Sequence, residues 1–533
     1  MIQQAATNPA PSWLTGALLS IGVIAVVLLT VGAIDTPLMD PDEARFAQTS
    51  LEMSESGDLV VPRFEGRPRV VKPPLLHWIQ AFLFRHLGFS EWLARVPAIA
   101  STWLSLWIVA AIGWKRWGSL GAVWAPAIFI TSPLVFVMGR IGTIDSLLSV
   151  HILAAVAVDL LLPRDHRHRS VLIGGLLGLA FLAKGPIGIG LPLLIVLAGR
   201  TATGRPLLPN ITGFLKGMGS WGVIVLPWGV AFGNRLGWSE VAALLDTEVI
   251  QRYVEQESHA RPFWFYGLVV AVGFLPWVVP LLHAVGRLIR YPRDPATSTT
   301  RYALAGLLMG TVLLSFSEGK LPSYFLPLAP LVAMIAAWQV GRQCARNQPG
   351  LPELALIIQG GVLATAAVLG GVRQDPGAIR QVLWIVAGAF AAMVIVGGVG
   401  YWRRQVWPIY TANAAAAAAI LLAIGGFLHP ELGARHSARD LVEHYPAIRE
   451  TTNLRRVAMK LPSLTLYSGR IPVELELVGV SDIVNDAEKP VGLWIFDRRD
   501  FESLDPATRR RFRTLGKSGK YVALATHPLP PPP

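Results

Sequence analysis

The sequence predicts an α-helical polytopic membrane protein with about thirteen transmembrane helices and a small C-terminal α/β domain. Three observations predict it. Of 533 residues, 53% are hydrophobic and 15% charged, and the mean hydropathy of +0.48 departs from soluble composition toward the membrane. Apolar runs recur up to residue 428, each about the 20 residues that a helix needs to cross a hydrocarbon core of roughly 30 Å. Beyond residue 429 the pattern changes to brief β-rich runs between polar and helical pieces.

The candidate spans run near 14–34, 92–112, 119–138, 143–162, 170–183, 186–199, 211–233, 264–288, 302–317, 322–340, 353–371, 380–400 and 408–428. The first, from Trp13 to Ile34, is too long for a signal-peptide core and is read as an uncleaved span. The fifth and sixth are short and meet at Lys184-Gly185-Pro186; one broken helix there would reverse every later loop. Charge decides between the two readings, because Lys and Arg in short loops stay on the cytoplasmic side. With thirteen spans and the N-terminus inside, alternate loops hold Lys115 and Arg116; Arg164, Arg167 and Arg169; Arg200 and Arg205; Arg287, Arg290, Arg293 and Arg301; Arg342 and Arg346; and Arg403 and Arg404. Segments 35–91, 234–263 and 429–533 then fall outside.

The loop 35–91 belongs with the membrane region 1–428 and contains an amphipathic stretch, Leu75 to Leu87, suited to the interface. In the second domain, 429–533, strands are predicted at Leu464–Tyr467, Val473–Val478, Gly492–Phe496 and Tyr521–Ala525, before a Pro-rich end predicted to be disordered. The formal net charge of +13 would suggest nucleic acid in a soluble chain, but here it resides in membrane loops, so no nucleic-acid partner is expected. Cys344 is the only cysteine, which excludes an intrachain disulfide and a thiolate zinc cluster.

Span interiors are nearly free of ionisable residues, which argues against a buried ion pathway. Polar residues gather instead at the predicted outer ends of spans: Asp40, Asp42, Glu43 and Arg45; Lys72; Arg140 and Asp145; Lys184; His259 and Arg261; Glu318 and Lys320. Lys184 and Lys320 run against the orientation rule, and an anionic ligand such as a lipid phosphate gives them a purpose. Snorkelling to the headgroups is the plainer account of each. Asp42 suits a general base or a group that orients a sugar; as the plainer account, Asp40 or Asp42 caps a helix. Asp145 opens the fourth span, as a functional carboxylate, an N-cap or the partner of Arg140. Prolines fix the approach of Lys72 in Lys72-Pro73-Pro74, and His259, before Pro262-Phe263-Trp264, suits a hydrogen bond better than a metal.

In this order, Asp42-Glu43-Ala44-Arg45-Phe46, Ser56-Gly57-Asp58, Val61-Pro62, Lys72-Pro73-Pro74, Asp145, Ala183-Lys184-Gly185-Pro186, His259 and Gly319-Lys320-Leu321-Pro322-Ser323-Tyr324 resemble the GT-C superfamily of polyprenyl-phosphate-dependent glycosyltransferases. The resemblance is nearest to the lipid A aminoarabinose transferases, relatives of the protein O-mannosyltransferases, and covers the chain to about residue 340. It implies a GT-C fold in a bacterial inner membrane, with active site and C-terminus periplasmic. It also implies transfer of a single sugar from an undecaprenyl-phosphate carrier to a lipid A-like, glycan or protein acceptor. By matching position, Asp42 looks like the principal catalytic carboxylate and Asp145 a second; Arg45, Lys72 and Tyr324 fall at donor-phosphate or cavity positions, with Glu43, Lys184 and Lys320 beside them. His259 matches a histidine associated with a divalent metal in the aminoarabinose enzymes. Two positions depart from the pattern: Phe46 stands where tyrosine is common, and Val71 where those enzymes tend to have glutamate. An oligosaccharide ligase using a diphosphate carrier, or a lipid or polysaccharide transporter, are the competing readings; the transporter predicts polar spans or internal repeats, and neither is present in the sequence.

Overall fold

The computed structural model describes residues 11–69, 72–245, 261–292, 294–317, 319–451, 453–476, 480 and 492–526. It divides into two compact units. The first comprises residues 1–31, 70–76 and 95–427, and the second residues 32–69, 77–94 and 428–533. Much of the first outer loop therefore packs in the same unit as the C-terminal segment.

Helices occur at all thirteen predicted positions. The first four are α1 (Ser12–Thr30), α2 (Asp42–Ser56), α3 (Leu75–Leu87) and α4 (Glu91–Ile130). They are followed by α5 (Pro133–Met138), α6 (Ile144–Leu161), α7 (Arg169–Lys184), α8 (Ile187–Ala202) and α9 (Ile211–Leu236). Later in the first unit come α10 (Phe265–Gly273), α11 (Val278–Arg290), α12 (Ser298–Phe316), α13 (Ala329–Arg346), α14 (Leu351–Arg373), α15 (Ala378–Trp402) and α16 (Trp407–Ala423). The chain is a multi-span membrane protein: among the described residues eight helices are long and apolar enough to cross a membrane, and nine if the pair around α10 and α11, bent by 83°, forms one span. The amphipathic stretch Leu75–Leu87 is α3.

Two glycines decide the hairpins. Gly118 interrupts α4 with φ 69° and ψ −155°, and a Cβ on Gly113 would lie 2.2 Å from the Gly121 carbonyl oxygen, so the chain doubles back there. Gly185 has φ +70°, and a Cβ on Gly188 would lie 2.2 Å from the Ala180 carbonyl oxygen. In a continuous helix, positions eight apart lie about 12 Å apart along the axis. Lys184-Gly185-Pro186 is therefore a turn between two packed helices, in keeping with the alternation of basic loops.

In the second unit β1 (Arg63–Phe64) and β2 (Arg67–Pro68) form a short ribbon. A five-stranded sheet has the order β4-β3-β5-β7-β6, from β3 (Leu454–Val457), β4 (Val473–Leu475), β5 (Leu493–Asp497), β6 (Phe512–Ser518) and β7 (Tyr521–Thr526). β3 is parallel to β4 and β5, and β7 is antiparallel to β5 and β6. Both faces are buried: Leu493, Ile495, Tyr521 and Ala523 line one core, and Trp494, Phe496, Val522 and Leu524 the other. The predicted strand Leu464–Tyr467 is instead a helix, α17 (Pro462–Ser468). Pro462 opens it, Gly469 closes it with φ 68°, and residues 461–466 are buried without the alternation a strand would show. Strands β3 and β6 were not among those expected; the predicted Pro-rich end lies outside the described residues.

Candidate active site

In the first unit Asp145 stands in the first turn of α6, just after Thr143, the N-cap residue. Its Oδ1 accepts a hydrogen bond from Lys184 Nζ, the last residue of α7. Both side chains are nearly buried, 9% and 12% exposed, so this ion pair is largely withdrawn from water. Neither alternative considered for Asp145 holds. It provides no cap hydrogen bond, and Arg140 donates to the carbonyls of Leu28 and Val31 and lies 4.7 Å over the Phe136 ring.

Lys184 Nζ also sits 4.3 Å from the centre of the Tyr324 ring, a cation–π contact in a desolvated setting. Tyr324 belongs to a 3₁₀ helix, Pro322–Leu328, whose Phe325 stacks on the buried Tyr266 at 5.8 Å. A Cβ on Gly185 would lie 3.9 Å from Pro73 Cγ, which places the Lys72-Pro73-Pro74 segment against the α7–α8 turn. The structure thus brings together the segment of Lys72, Asp145, Lys184 and Tyr324. Lys320, 5% exposed, donates to the Arg261 carbonyl oxygen at 3.0 Å. His259 and Val71 lie outside the described residues. Among those described no group of three or more His, Cys, Asp or Glu is placed to hold a metal ion, and Val71 offers no ligand atom, so no chemical step is built on a metal here.

In the second unit Asp42 and Glu43 open α2 and part company. Asp42 is 56% exposed and pairs with Arg45 at 3.7 Å, one turn on. Glu43 is 2% exposed, and its Oε2 accepts from the Met39 backbone N–H at 3.0 Å, fastening the loop that leads into the helix. No side chain caps α2, so neither Asp40 nor Asp42 has the capping role considered above. Asp40 accepts instead from the Ser463 backbone N–H at 2.9 Å and from the Ser463 hydroxyl, and burial pushes its carboxyl up to about 7.

Arg69 lies 4.9 Å over the Phe46 ring, so the phenyl group at this position serves as a platform for a guanidinium. The ring of His77, 5.7 Å from that of Phe46 between centres, is buried, 2.8 Å from the Ser50 hydroxyl and held neutral down to about 3 by burial and by the charge of Arg69. Arg45 and Arg69 line a cavity of 830 Å³ together with Glu65, Arg456, Lys460 and Glu474. Arg456 is fixed there by two hydrogen bonds to Glu65, at 2.6 and 2.9 Å, and one to Glu474 at 3.1 Å. Sequence reasoning missed this cavity, since Glu65 and Arg456 stand 391 positions apart.

Residues 71–230 match the family described as dolichyl-phosphate-mannose-protein mannosyltransferase. This stretch holds Lys72, Asp145 and Lys184, and the GT-C resemblance drawn from the motifs stands. Among curated proteins the chain is similar to the undecaprenyl phosphate-alpha-4-amino-4-deoxy-L-arabinose arabinosyl transferase of Enterobacter sp. (strain 638), 32% identical over 315 residues, covering 56% of this chain and 55% of that protein. The corresponding transferase 1 of Sodalis glossinidius is 31% identical over 343 residues, covering 62% and 60%. The matched stretch thus spans less than two thirds of the length of these relatives. Among solved structures, ArnT from Cupriavidus metallidurans bound to undecaprenyl phosphate superimposes with a TM-score of 0.76 at 20% identity, covering 96% of this chain and 98% of that one. The archaeal oligosaccharyltransferase AglB from Archaeoglobus fulgidus gives 0.54 at 11% identity, covering 94% and 72%. These likenesses establish the fold.

Proposed function

We propose that the protein is a glycosyltransferase that moves a single sugar from a polyprenyl-phosphate carrier to a lipid A-like, glycan or protein acceptor. The observation that carries this reading is the buried Asp145–Lys184 pair beneath Tyr324, with the Lys72 segment against the same turn. Two lysines at one span boundary, one held by a carboxylate in low dielectric, suit a lipid phosphate. The curated relatives' names, which specify an undecaprenyl phosphate-linked sugar, and the ArnT structure with that carrier bound support the same donor. By the orientation rule, this end of the spans faces the periplasm of a bacterial inner membrane, opposite the arginine-rich loops.

The acceptor oxygen attacks the anomeric carbon, the bond from that carbon to the phosphate oxygen breaks, and its electron pair departs with the carrier phosphate, inverting the configuration. Lys72 and Lys184, with Arg45 and Lys320 as further cations, stabilise the charge gathering on that phosphate. Asp42, exposed at the start of its helix, takes the proton of an acceptor hydroxyl, or positions the sugar where the acceptor is already a phosphate. Asp145 holds Lys184 extended; Tyr324 fixes its ammonium from the ring face; Glu43 sets the start of α2. The cavity of 830 Å³ bordered by Arg45, Arg69, Arg456 and Lys460 suits an anionic acceptor group.

The test incubates the purified protein with undecaprenyl-phosphate sugars or undecaprenyl-diphosphate sugars over several acceptors, read by mass spectrometry. Transfer from the monophosphate donor alone, abolished by Asp42→Asn in a folded protein, is expected. Transfer from the diphosphate donor alone would make the protein an oligosaccharide ligase, and full activity of Asp42→Asn would remove Asp42 from the mechanism.

A further inference from the structure

At the other end of α6 lies a second charged centre. Asp159 is 14 positions beyond Asp145, about 21 Å along the helix axis. Its Oδ1 accepts from Arg169 and from Arg200, whose Nε lies at 2.9 Å, and its Oδ2 accepts from the Tyr302 hydroxyl at 2.9 Å. Around it a cavity of 420 Å³ is lined by Arg116, Arg164, Arg169, Arg200 and Arg205, with Asp159 the one acidic residue in its wall. Five guanidiniums against one carboxylate leave a formal charge of +4 in the wall.

Asp159 is consumed by Arg169 and Arg200. Among the described residues the Arg164 guanidinium donates to the Leu208 carbonyl oxygen at 3.3 Å, and that of Arg205 to the Asp159 backbone oxygen at 3.5 Å while lying 5.9 Å from the centre of the Tyr302 ring; neither guanidinium has a carboxylate partner there. Arg205 is close enough to Arg116 to repel it, and the buried Nε atoms of Arg116 and Arg169 lack hydrogen-bond partners among the described residues. Arg169 and Arg200, at 9% and 7% exposed, are withdrawn from water, Arg116 and Arg205 are half-buried, and Arg164 is exposed at the mouth. Like charges around a concave site with low-dielectric walls are costly unless an anion joins them, and guanidinium forks match phosphate oxygens in pairs. Leu207 and Leu208, whose carbonyl oxygens accept from Arg200 and Arg164, and Ile211 shortly after them leave their apolar side chains exposed.

We propose that this cavity binds the phosphodiester headgroup of an anionic phospholipid in the leaflet opposite the Asp145–Lys184 end, with its acyl chains over Leu207, Leu208 and Ile211. The lipid ties together the ends of the α4 hairpin, α6, α7 and α8, and is a structural ligand distinct from any sugar donor. The shared chemistry is a phosphate ester; the exposed leucines favour lipid over free phosphate.

The full-length protein, delipidated in neutral detergent, is melted with phosphatidylglycerol, with phosphatidylcholine or with inorganic phosphate, and bound lipid is counted by native mass spectrometry. Phosphatidylglycerol is expected to raise the apparent Tm by several degrees and stay bound, and the other two to do neither. The double variant Arg164→Gln/Arg205→Gln, which leaves the Asp159 pairs intact, should weaken retention at least about tenfold. Arg403→Gln/Arg404→Gln, in another basic loop, should retain wild-type binding. Equal effects of phosphatidylcholine and phosphatidylglycerol, unchanged retention by the Arg164/Arg205 variant, or equal loss in the Arg403/Arg404 variant would each overturn the proposal. A Tm rise with inorganic phosphate equal to that with phosphatidylglycerol would replace the lipid by a free anion. Failure of the double variant to fold would be bypassed by Arg205→Gln alone, held to the same retention test. None of these outcomes depends on sugar transfer.

Discussion

The two ends of α6 present the same element, a carboxylate facing cations across a helix turn, in opposite conditions. Asp145 has one cationic partner, Lys184, whose ammonium is shared with the Tyr324 ring. Asp159 has two guanidiniums on Oδ1 and a phenol on Oδ2, so both of its oxygens are engaged. A pair with one point-charge lysine lets a visiting phosphate compete for the ammonium, whereas a carboxylate held by planar forks keeps its own two guanidiniums and leaves any anion beside it to the other arginines. On the proposed function, the difference separates a buried charge poised for chemistry from one that holds helices in place.

That comparison is open to attack from its larger side first. Lys184→Met should lower sugar transfer per folded molecule by roughly 10²–10³-fold, the usual cost of losing one preorganised donor to a developing negative charge, beyond the lower Tm that comes from leaving the buried Asp145 unpaired. Asp159→Ala should do the reverse: it strands Arg169 and Arg200 beside each other in a buried site, costs about 3–5 kcal/mol, and lowers Tm while leaving the transfer rate per folded molecule unchanged. Activity loss in Asp159→Ala beyond its loss of folded protein would break the division of labour.

Much of the first unit was legible because hydropathy and loop charge report directly on lipid and orientation. The basic loops at 115–116, 164–169 and 200–205, assigned to one side by sequence, meet in one cavity. Lys72, Asp145 and Lys184 were each singled out, since charge beside hydrocarbon is conspicuous, whereas Tyr324 was marked only by the family resemblance. Asp159 was not, although an acid at the end of a span next to three arginines is the signal that would have found it. The second unit was harder to read. Its strands are buried on both faces and lack alternation, while Leu464-Thr465-Leu466-Tyr467 alternates like a strand over a run too short to settle its period, and Pro462 and Gly469 mark it as a helix.

Removing one hydroxyl from each centre sharpens the contrast further. Tyr302→Phe deletes the donor to Asp159 Oδ2 and should cost about 1.5–3 kcal/mol of stability, as hydrogen bonds to charged groups do, with no effect on transfer. Tyr324→Leu should lose a cation–π contact of about 1–2 kcal/mol that Tyr324→Phe keeps, and so raise the donor KM further than Tyr324→Phe does. Equal effects of the two Tyr324 variants would mean that the hydroxyl, not the ring face, is what Lys184 needs.

The smallest effect concerns a third withdrawn carboxylate, Asp40, which has hydroxyl and amide partners where the other two have cations at hydrogen-bond distance. Burial therefore raises its pKa from 3.8 to about 7. Between those values the folded state keeps a proton that the unfolded chain has released, so the stability from Asp40 is present at low pH and is lost as pH rises through about 7. His77 works with the opposite sign: lowered from 6.5 to about 3, it stays neutral in the fold while the unfolded chain takes up a proton, so it destabilises only below pH 6.5. Above 6.5 both states of His77 are neutral, which leaves the window from there to pH 8 to Asp40. Thermal melts across that window should show a decline for the wild type that flattens in Asp40→Asn, and parallel slopes in the two proteins would mean that Asp40 is already ionised in the fold.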